Sequence, residues 1–379
     1  MKYGVAIEIP HWVGGGVGEY PIIIYTLTPP SPTQMSFFFA KSKKKYKPHN
    51  RPRKTFKNKR PPPPRYIHVE KMGEQPGRRP QVKKEFPGIR WKKMNCSPFA
   101  QNQSVDGSTC YTDKILFEIR DAFNAQPQNA HSPITSNTPK IVLYQLRKRM
   151  SNSCEKEKCW LELLSPEQRR VVDETVFAPE KPAEWKKNPH EWLSNYDILK
   201  VLRQYEKSNP TFKFIEPTPI DFDTVLSVNG ESKCVTDDLC NFSLKHYIEG
   251  NYKQIGIIFN LDKHTQKGSH WVSLFIDIEH SFIFYFDSAT NKTPREIRSF
   301  VEKVQTQSLE VGNGVKYTYY ENYPNNHQRS TTECGMYSLF FIITMLDKSR
   351  TIKSKIRLFK EKKVTDKQMR RLRDVYFND

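Results

Sequence analysis

The chain has 379 residues, room for about two folded units of ~100 to 200 residues each. It holds 61 Lys and Arg against 41 Asp and Glu, a formal net charge of +20, with hydrophobic residues at 36%. That balance leaves part of the chain short of the apolar surface that folding needs, and no run nears the ~20 apolar residues of a membrane-spanning helix, so a soluble protein is expected.

The charge is concentrated at the start. Residues 1–95 contain 21 Lys and Arg against five Asp and Glu, and 14 of the 27 prolines, so they read as a largely disordered basic, Pro-rich tail. Glu8 and Glu19 interrupt its early apolar runs, which argues against a signal peptide. Its stretch from 41 to 65 has twelve basic residues and no acidic one; Lys43, Lys44, Lys45, Arg51, Arg53, Lys54, Lys57, Lys59 and Arg60 are its candidate polyanion contacts. Such a block either binds nucleic acid, an anionic membrane or acidic proteins and directs nuclear import, or is a solvated tail without a dedicated partner.

From about residue 96 the pattern is helical. Residues 111–123, 138–150 and 165–177 each repeat apolar side chains at one-face spacing behind Thr112, Thr138 and Ser165, and define a helical accessory region over 96–187. A core of 188–379 follows. Ser194 and Asp197 form a capping-box pattern ahead of a helix that runs to 206. The period then shortens: residues 254–260, 271–277, 282–286 and 316–321 read as strands, 293–305 as a helix between the last two, and Cys334 onward as a largely buried helix before a polar terminal one. Strands set among helices give an α+β class or a mixed three-layer core.

Cys334 lies just after Ser330, Thr331 and Thr332, good capping residues, and so in a first helical turn, where free N–H groups and the dipole favour a thiolate. Gly335 lets the backbone come close to a substrate carbonyl. Taken alone, Cys334 is better read as a buried packing residue. His270 begins one expected strand and Asp287 ends the next, seventeen residues on, a separation that suits a hairpin with a tight turn around 279–281. Gln328, six residues before Cys334, has an amide placed to share an oxyanion with the Cys334 N–H. Each has a plain reading as a surface or loop residue; together they describe a nucleophile, a base, an orienter and an oxyanion donor.

Six further cysteines, at 96, 110, 154, 159, 234 and 240, make an odd set of seven and are expected to be free thiols in a reducing compartment. Cys154 and Cys159, spaced x4, match zinc patterns poorly. No phosphate-binding loop or helical His pair appears, so neither a metal nor a cofactor is expected.

GSHW, YFDS and HQRSTTECGMYSL, with the closing VTDKQM, resemble the ubiquitin-like-protein-specific (SUMO-specific) cysteine proteases, the clan that includes the adenovirus protease, and within it the polyprotein-processing proteases of large DNA viruses such as African swine fever virus. The resemblance is specific over 188–379. It implies a papain-like, adenovirus-protease-like core with a central, mostly antiparallel sheet flanked by helices, with Cys334 as nucleophile, His270 as base, Asp287 as orienter and Gln328 as oxyanion donor. WLSNYDI is similar to a Trp-Leu helix start of the SUMO proteases. By that likeness Trp192 and Trp271 flank a channel too narrow for a Cβ, giving Gly-Gly-X specificity; packing is the alternative for each. The expected activity is a viral cysteine endopeptidase acting on structural polyproteins in virion maturation, in the virion and the host cytoplasm with access to the nucleus, or else removal of SUMO or ubiquitin from host conjugates. Gly14-Gly15-Gly16 would then be either a self-cleavage site or a plain flexible run.

Overall fold

The computed structural model describes residues 94–379 apart from 102–107, 229 and 312–313. The basic contacts Lys43 to Arg60 and the run Gly14–Gly16 lie outside the described residues. Those described fall in one compact unit, Arg79–Asp379.

The accessory region is helical. A short α1, Pro98–Gln101, precedes α2, Asp113–Asn124, capped by the Thr112 side chain on the Ile115 N–H. Then come α3, Pro139–Met150, and α4, Pro166–Val176, which a full capping box of Ser165 and Gln168 opens. Leu116, Ile119, Val142, Leu146 and Val176 close around Trp160 and Tyr111 in a core of their own. Asn95 and Asn378 tie this region to the far end of the chain: the Asn95 N–H donates to Asn378 Oδ1 at 2.8 Å, and Asn378 Nδ2 returns to the Asn95 carbonyl at 3.0 Å.

Helix α5, Asn195–Ser208, starts on the expected Ser194–Asp197 box and leads into β1, Phe212–Pro219. A small hairpin of β2, Val225–Val228, and β3, Glu231–Cys234, and two short helices, α6, Asp237–Cys240, and α7, Leu244–Glu249, complete the approach to the sheet. The sheet has the order β1-β4-β5-β6-β7, with β4 at Gln254–Asn260, β5 at Trp271–Asp277, β6 at Phe282–Phe286 and β7 at Thr318–Glu321. Its three central strands are antiparallel and both edge strands pair parallel. Helix α8, Arg295–Glu310, crosses between β6 and β7. Helices α9, Cys334–Leu346, α10, Ile352–Glu361, and α11, Asp366–Tyr376, end the chain.

Strand alternation sorts the core into two layers. Trp271, Phe275, Phe284 and Phe286 meet α5, α9 and α10, whereas Val272, Leu274, Ile276 and Tyr285 meet α7 and α8. Both faces are covered, which is why β5 and β6 are buried along their whole length and read as apolar runs. Helix α9 lies against β5 with nearly every side chain buried, so its first residue is held by the core. Among the described residues no helix is long and apolar enough to cross a membrane.

The cysteines differ from expectation. Cys96–Cys110, Cys154–Cys159 and Cys234–Cys240 are disulfide-bonded, and only Cys334 is free. The fold brings the paired Cα atoms to 5.1, 6.1 and 6.3 Å, within bridging range, a proximity that spacing alone does not reveal.

Candidate active site

The β5–β6 ladder pairs Ser273 with Phe286, so His270 and Asp287 emerge together just beyond its end. Asp287 Oδ1 lies 2.6 Å from His270 Nε2. The carboxylate is fully buried and anchored: Oδ1 accepts the Ala289 N–H at 2.8 Å, and Oδ2 accepts the backbone and side-chain N–H groups of Asn291, both at 2.9 Å. Asn322 clamps the main chain there, accepting the Asp287 N–H and donating to the Asp287 carbonyl at 2.8 Å.

With Nε2 on Asp287, the other ring nitrogen is left for the sulfur. Burial pushes the His270 pKa down, but hydrogen bonds to Asp287 and then to Cys334, with the charges of both, outweigh it and raise the value to about 10. Burial likewise opposes ionisation of Asp287, yet the hydrogen bond and charge of His270 and the loop N–H groups hold its pKa below the ordinary value. His270 thus stands between the Asp287 carboxylate, to which it is hydrogen-bonded, and the Cys334 sulfur, which acts on the ring's charge. Cys334 is only 1% exposed and Asp287 0%, while His270 between them keeps 18% of its side chain open, so the ring is the most exposed of the three.

Gln328 is fixed at both ends of its amide. Ser288 Oγ donates to Oε1 at 2.6 Å, and Nε2 donates to the Ser330 carbonyl at 2.7 Å, which leaves the second Nε2 hydrogen. Ser288 follows Asp287 directly and also accepts the Gln328 N–H on its carbonyl at 2.8 Å. One dipeptide thus sets both the carboxylate and the amide.

Trp271 Nε1 donates to the Leu193 carbonyl at 3.1 Å, joining the start of β5 to the segment ahead of α5; its neighbour Trp192 is half-buried. Gly335 has a packing reason to be glycine: a Cβ there would stand 3.0 Å from Leu193 Cβ and 3.4 Å from Trp271 Cδ1. A side chain at Gly335 would thus crowd Leu193 and Trp271, which pack against the start of α9 from both tryptophan-bearing segments.

The expected Ser/Thr cap of α9 is not what forms. Cys334 is the first helical residue and Glu333 the cap, with no side-chain hydrogen bond to the helix. The Glu333 carboxylate is fully buried and turns to Arg373, whose Nε and Nη2 stand 3.1 and 3.0 Å from Oε2, and to Arg370 Nε at 3.3 Å. Arg373 also donates to the carbonyls of Pro189 and Glu191 at 3.2 and 2.8 Å, linking the Trp192 segment, the nucleophile's cap and α11. Sequence reading missed Glu333, Arg373, Ser288, Asn291 and Asn322. A signal existed for one: Met369, Arg373 and Tyr376 share the buried stripe of α11, and an arginine on such a stripe requires an acidic partner.

Residues 251–379 match the Ulp1 protease family, C-terminal catalytic domain. That stretch is an Ulp1-like protease domain. This Ulp1-type domain contains His270, Asp287, Gln328 and Cys334, while Trp192 and α5 precede it. A protein of Acanthamoeba polyphaga mimivirus named as a thiol protease is 29% identical over 272 residues, 66% of this chain and 84% of that one. A SUMO-1 cysteine protease of African swine fever virus is 28% identical over 234 residues, 58% of this chain and 83% of its own. A crystal structure of the African swine fever virus protease aligns with a TM-score of 0.49 at 22% identity, over 76% of this chain and 97% of that one.

Proposed function

We propose that this chain is a cysteine endopeptidase of a large DNA virus that cuts structural polyproteins after Gly-Gly during virion maturation. The observation that carries the reading is the His270 ring, hydrogen-bonded on one side to a buried, anchored carboxylate and coupled electrostatically to Cys334, the one free thiol among the described residues. In this reading the protonated ring is the counter-ion of a Cys334 thiolate. The sulfur attacks the scissile carbonyl; the oxyanion takes hydrogen bonds from the Cys334 N–H, an unpaired donor at a helix start, and the remaining Gln328 Nε2 hydrogen. His270 then gives its proton to the leaving amine, and afterwards takes one from the water that hydrolyses the thioester. Asp287 keeps the ring oriented and stabilises its charge. Trp192 and Trp271 close over the residues before the cut, admitting backbone without Cβ atoms.

The basic segment Lys43–Arg60 would hold the enzyme to viral nucleic acid or acidic core proteins, in the virion and the host cytoplasm, with access to the nucleus. A Gly-Gly-X peptide is expected to be cut by the wild type and left intact by Cys334→Ala, and iodoacetamide without reductant is expected to label Cys334 alone. Cleavage that persists in Cys334→Ala overturns the assignment. Faster turnover of SUMO or ubiquitin fluorogenic substrates than of polyprotein-derived peptides replaces the polyprotein reading with a deconjugating one.

A further inference from the structure

A cleft of about 920 Å³ runs between the segment from Lys181 to His190 and one face of α11. Its apolar floor is formed by Pro182, Ala183, Pro189 and the indole of Trp185, which also packs against Phe377 and the Arg373 guanidinium, 4.2 Å from the ring centroid. On α11, Lys367, Arg370, Arg371 and Asp374 share the cleft face, a stretch of about 10 Å at 1.5 Å per residue.

The charge along this cleft is uneven. At the far end Asp374 and Asp379 are neutralised by Lys181, 2.7 Å from the first, and Glu180 by Lys158 at 2.9 Å. At the near end Lys367 and Arg371 form no ion pair among the described residues, and Lys186 makes none either, its charge acting on Glu180 only at longer range. Lys367 stands in the first turn of α11, where the helix dipole disfavours a cation, so its placement serves no helical need.

That basic end borders the active site. His190 is two residues from Trp192, at most about 7 Å of chain. Its Nδ1 lies 3.8 Å, and Arg370 Nε 3.3 Å, from the carboxylate of Glu333, the residue before Cys334.

We propose that this cleft is an exosite for an acidic segment of the substrate that also carries an apolar side chain, an inference that rests on the proteolytic reading above. Carboxylates would meet Lys186, Lys367 and Arg371 while the apolar group covers the proline and tryptophan floor. The chain's own basic stretch from 41 to 65 is excluded by like charge, since it has no acidic residue. Nucleic acid fits less well: a phosphate chain needs a continuous basic track, and here Glu180, Asp374 and Asp379 occupy the other end.

The test compares two peptides with the same Gly-Gly-X site, one short and one extended by Asp and Glu residues around a Phe, on either side of the site in separate versions. One extended peptide is expected to show kcat/KM about tenfold above the short one, a gain that Lys367→Glu with Arg371→Glu abolishes and about 0.5 M salt suppresses. Lys186→Glu, on the opposite wall, should reduce the gain as well. Cleavage of the short peptide should stay within about twofold in all these variants, because none touches the nucleophile or its partners. Separately, full-length Cys334→Ala should bind the fluorescent acidic segment, and single-stranded DNA of about 20 nucleotides should not displace it. Equal rates for short and extended peptides, a gain that survives charge reversal, or displacement by DNA overturns the exosite. Failure of the wild type to cut the short peptide counts against proteolysis, and binding to Cys334→Ala then decides the cleft independently.

Discussion

Asp287 influences the site out of proportion to its size. It holds His270 through one 2.6 Å contact and is itself held by three loop N–H donors and by Asn322, so the ring's position is set before substrate arrives. Its hydrogen bond is also the largest influence raising the His270 pKa against burial. Asp287→Ala is therefore expected to lower kcat/KM by about 10²- to 10⁴-fold. The alkaline limb of the pH–rate profile should move down from about 10, because burial without the carboxylate favours the neutral ring. An unmoved limb would show that the carboxylate does not set the ring's charge. The four side chains were legible in the sequence because each has a chemically distinctive type at a telling separation. Gly335 was legible only as glycine; that Leu193 and Trp271 fill the place of its Cβ depends on residues far apart in the chain.

At the scale of elements, the nucleophile's helix begins on a buried ion pair. Glu333 and Arg373 are 0% and 4% exposed, so removing either leaves the other charged and out of water. Glu333→Ala is expected to lower unfolding free energy by about 3 to 5 kcal/mol, read from urea denaturation, with Glu333→Gln less damaging because it keeps hydrogen-bonding capacity. A loss below about 1 kcal/mol would place the pair at a wet surface. The strongly periodic helices and the central strands appear where the sequence puts them, within two or three residues at their ends, except that α8 runs to Glu310, five residues past its expected end. Strand β1 did not: Pro217 interrupts its pattern, its register with β4 shifts between Ile215 and Thr218, and an edge strand tolerates both. The hairpin of β2 and β3 was also passed over, although an Asn-Gly pair at 229–230 marks such turns.

For the whole molecule, two histidines give stability opposite dependences on pH. His270, raised on folding, contributes fully below its ordinary value of 6.5, and that contribution is lost as pH climbs to about 10. His327 is buried, accepting the Val364 N–H on Nδ1 at 3.2 Å with Nε2 2.8 Å from the Phe359 carbonyl, and burial first of all lowers its pKa. Its contribution is present above 6.5 and lost as pH falls through the folded value. Asp287, also lowered, adds a further loss below 3.8. The melting temperature should therefore decline on both sides of a near-neutral maximum, with the alkaline decline weakened in Asp287→Ala. A flat profile from 6.5 to 10 would remove the imidazolium from the folded state.

Sequence alone determined the chemistry on offer: a thiol, an imidazole, a carboxylate and an amide at separations that suit one site, helices by their 3.6-residue period, and a basic stretch by its charge. Those signals are local, carried by residue type and short-range spacing. The tertiary structure decided which side chains meet: locally, the six cysteines that pair, and across long separations the Arg373 that binds Glu333, the leucine and tryptophan against Gly335, and the cleft beside α11. Such encounters depend on how layers of helix and strand come together, and a pair 40 or 180 residues apart leaves no periodic trace in the chain.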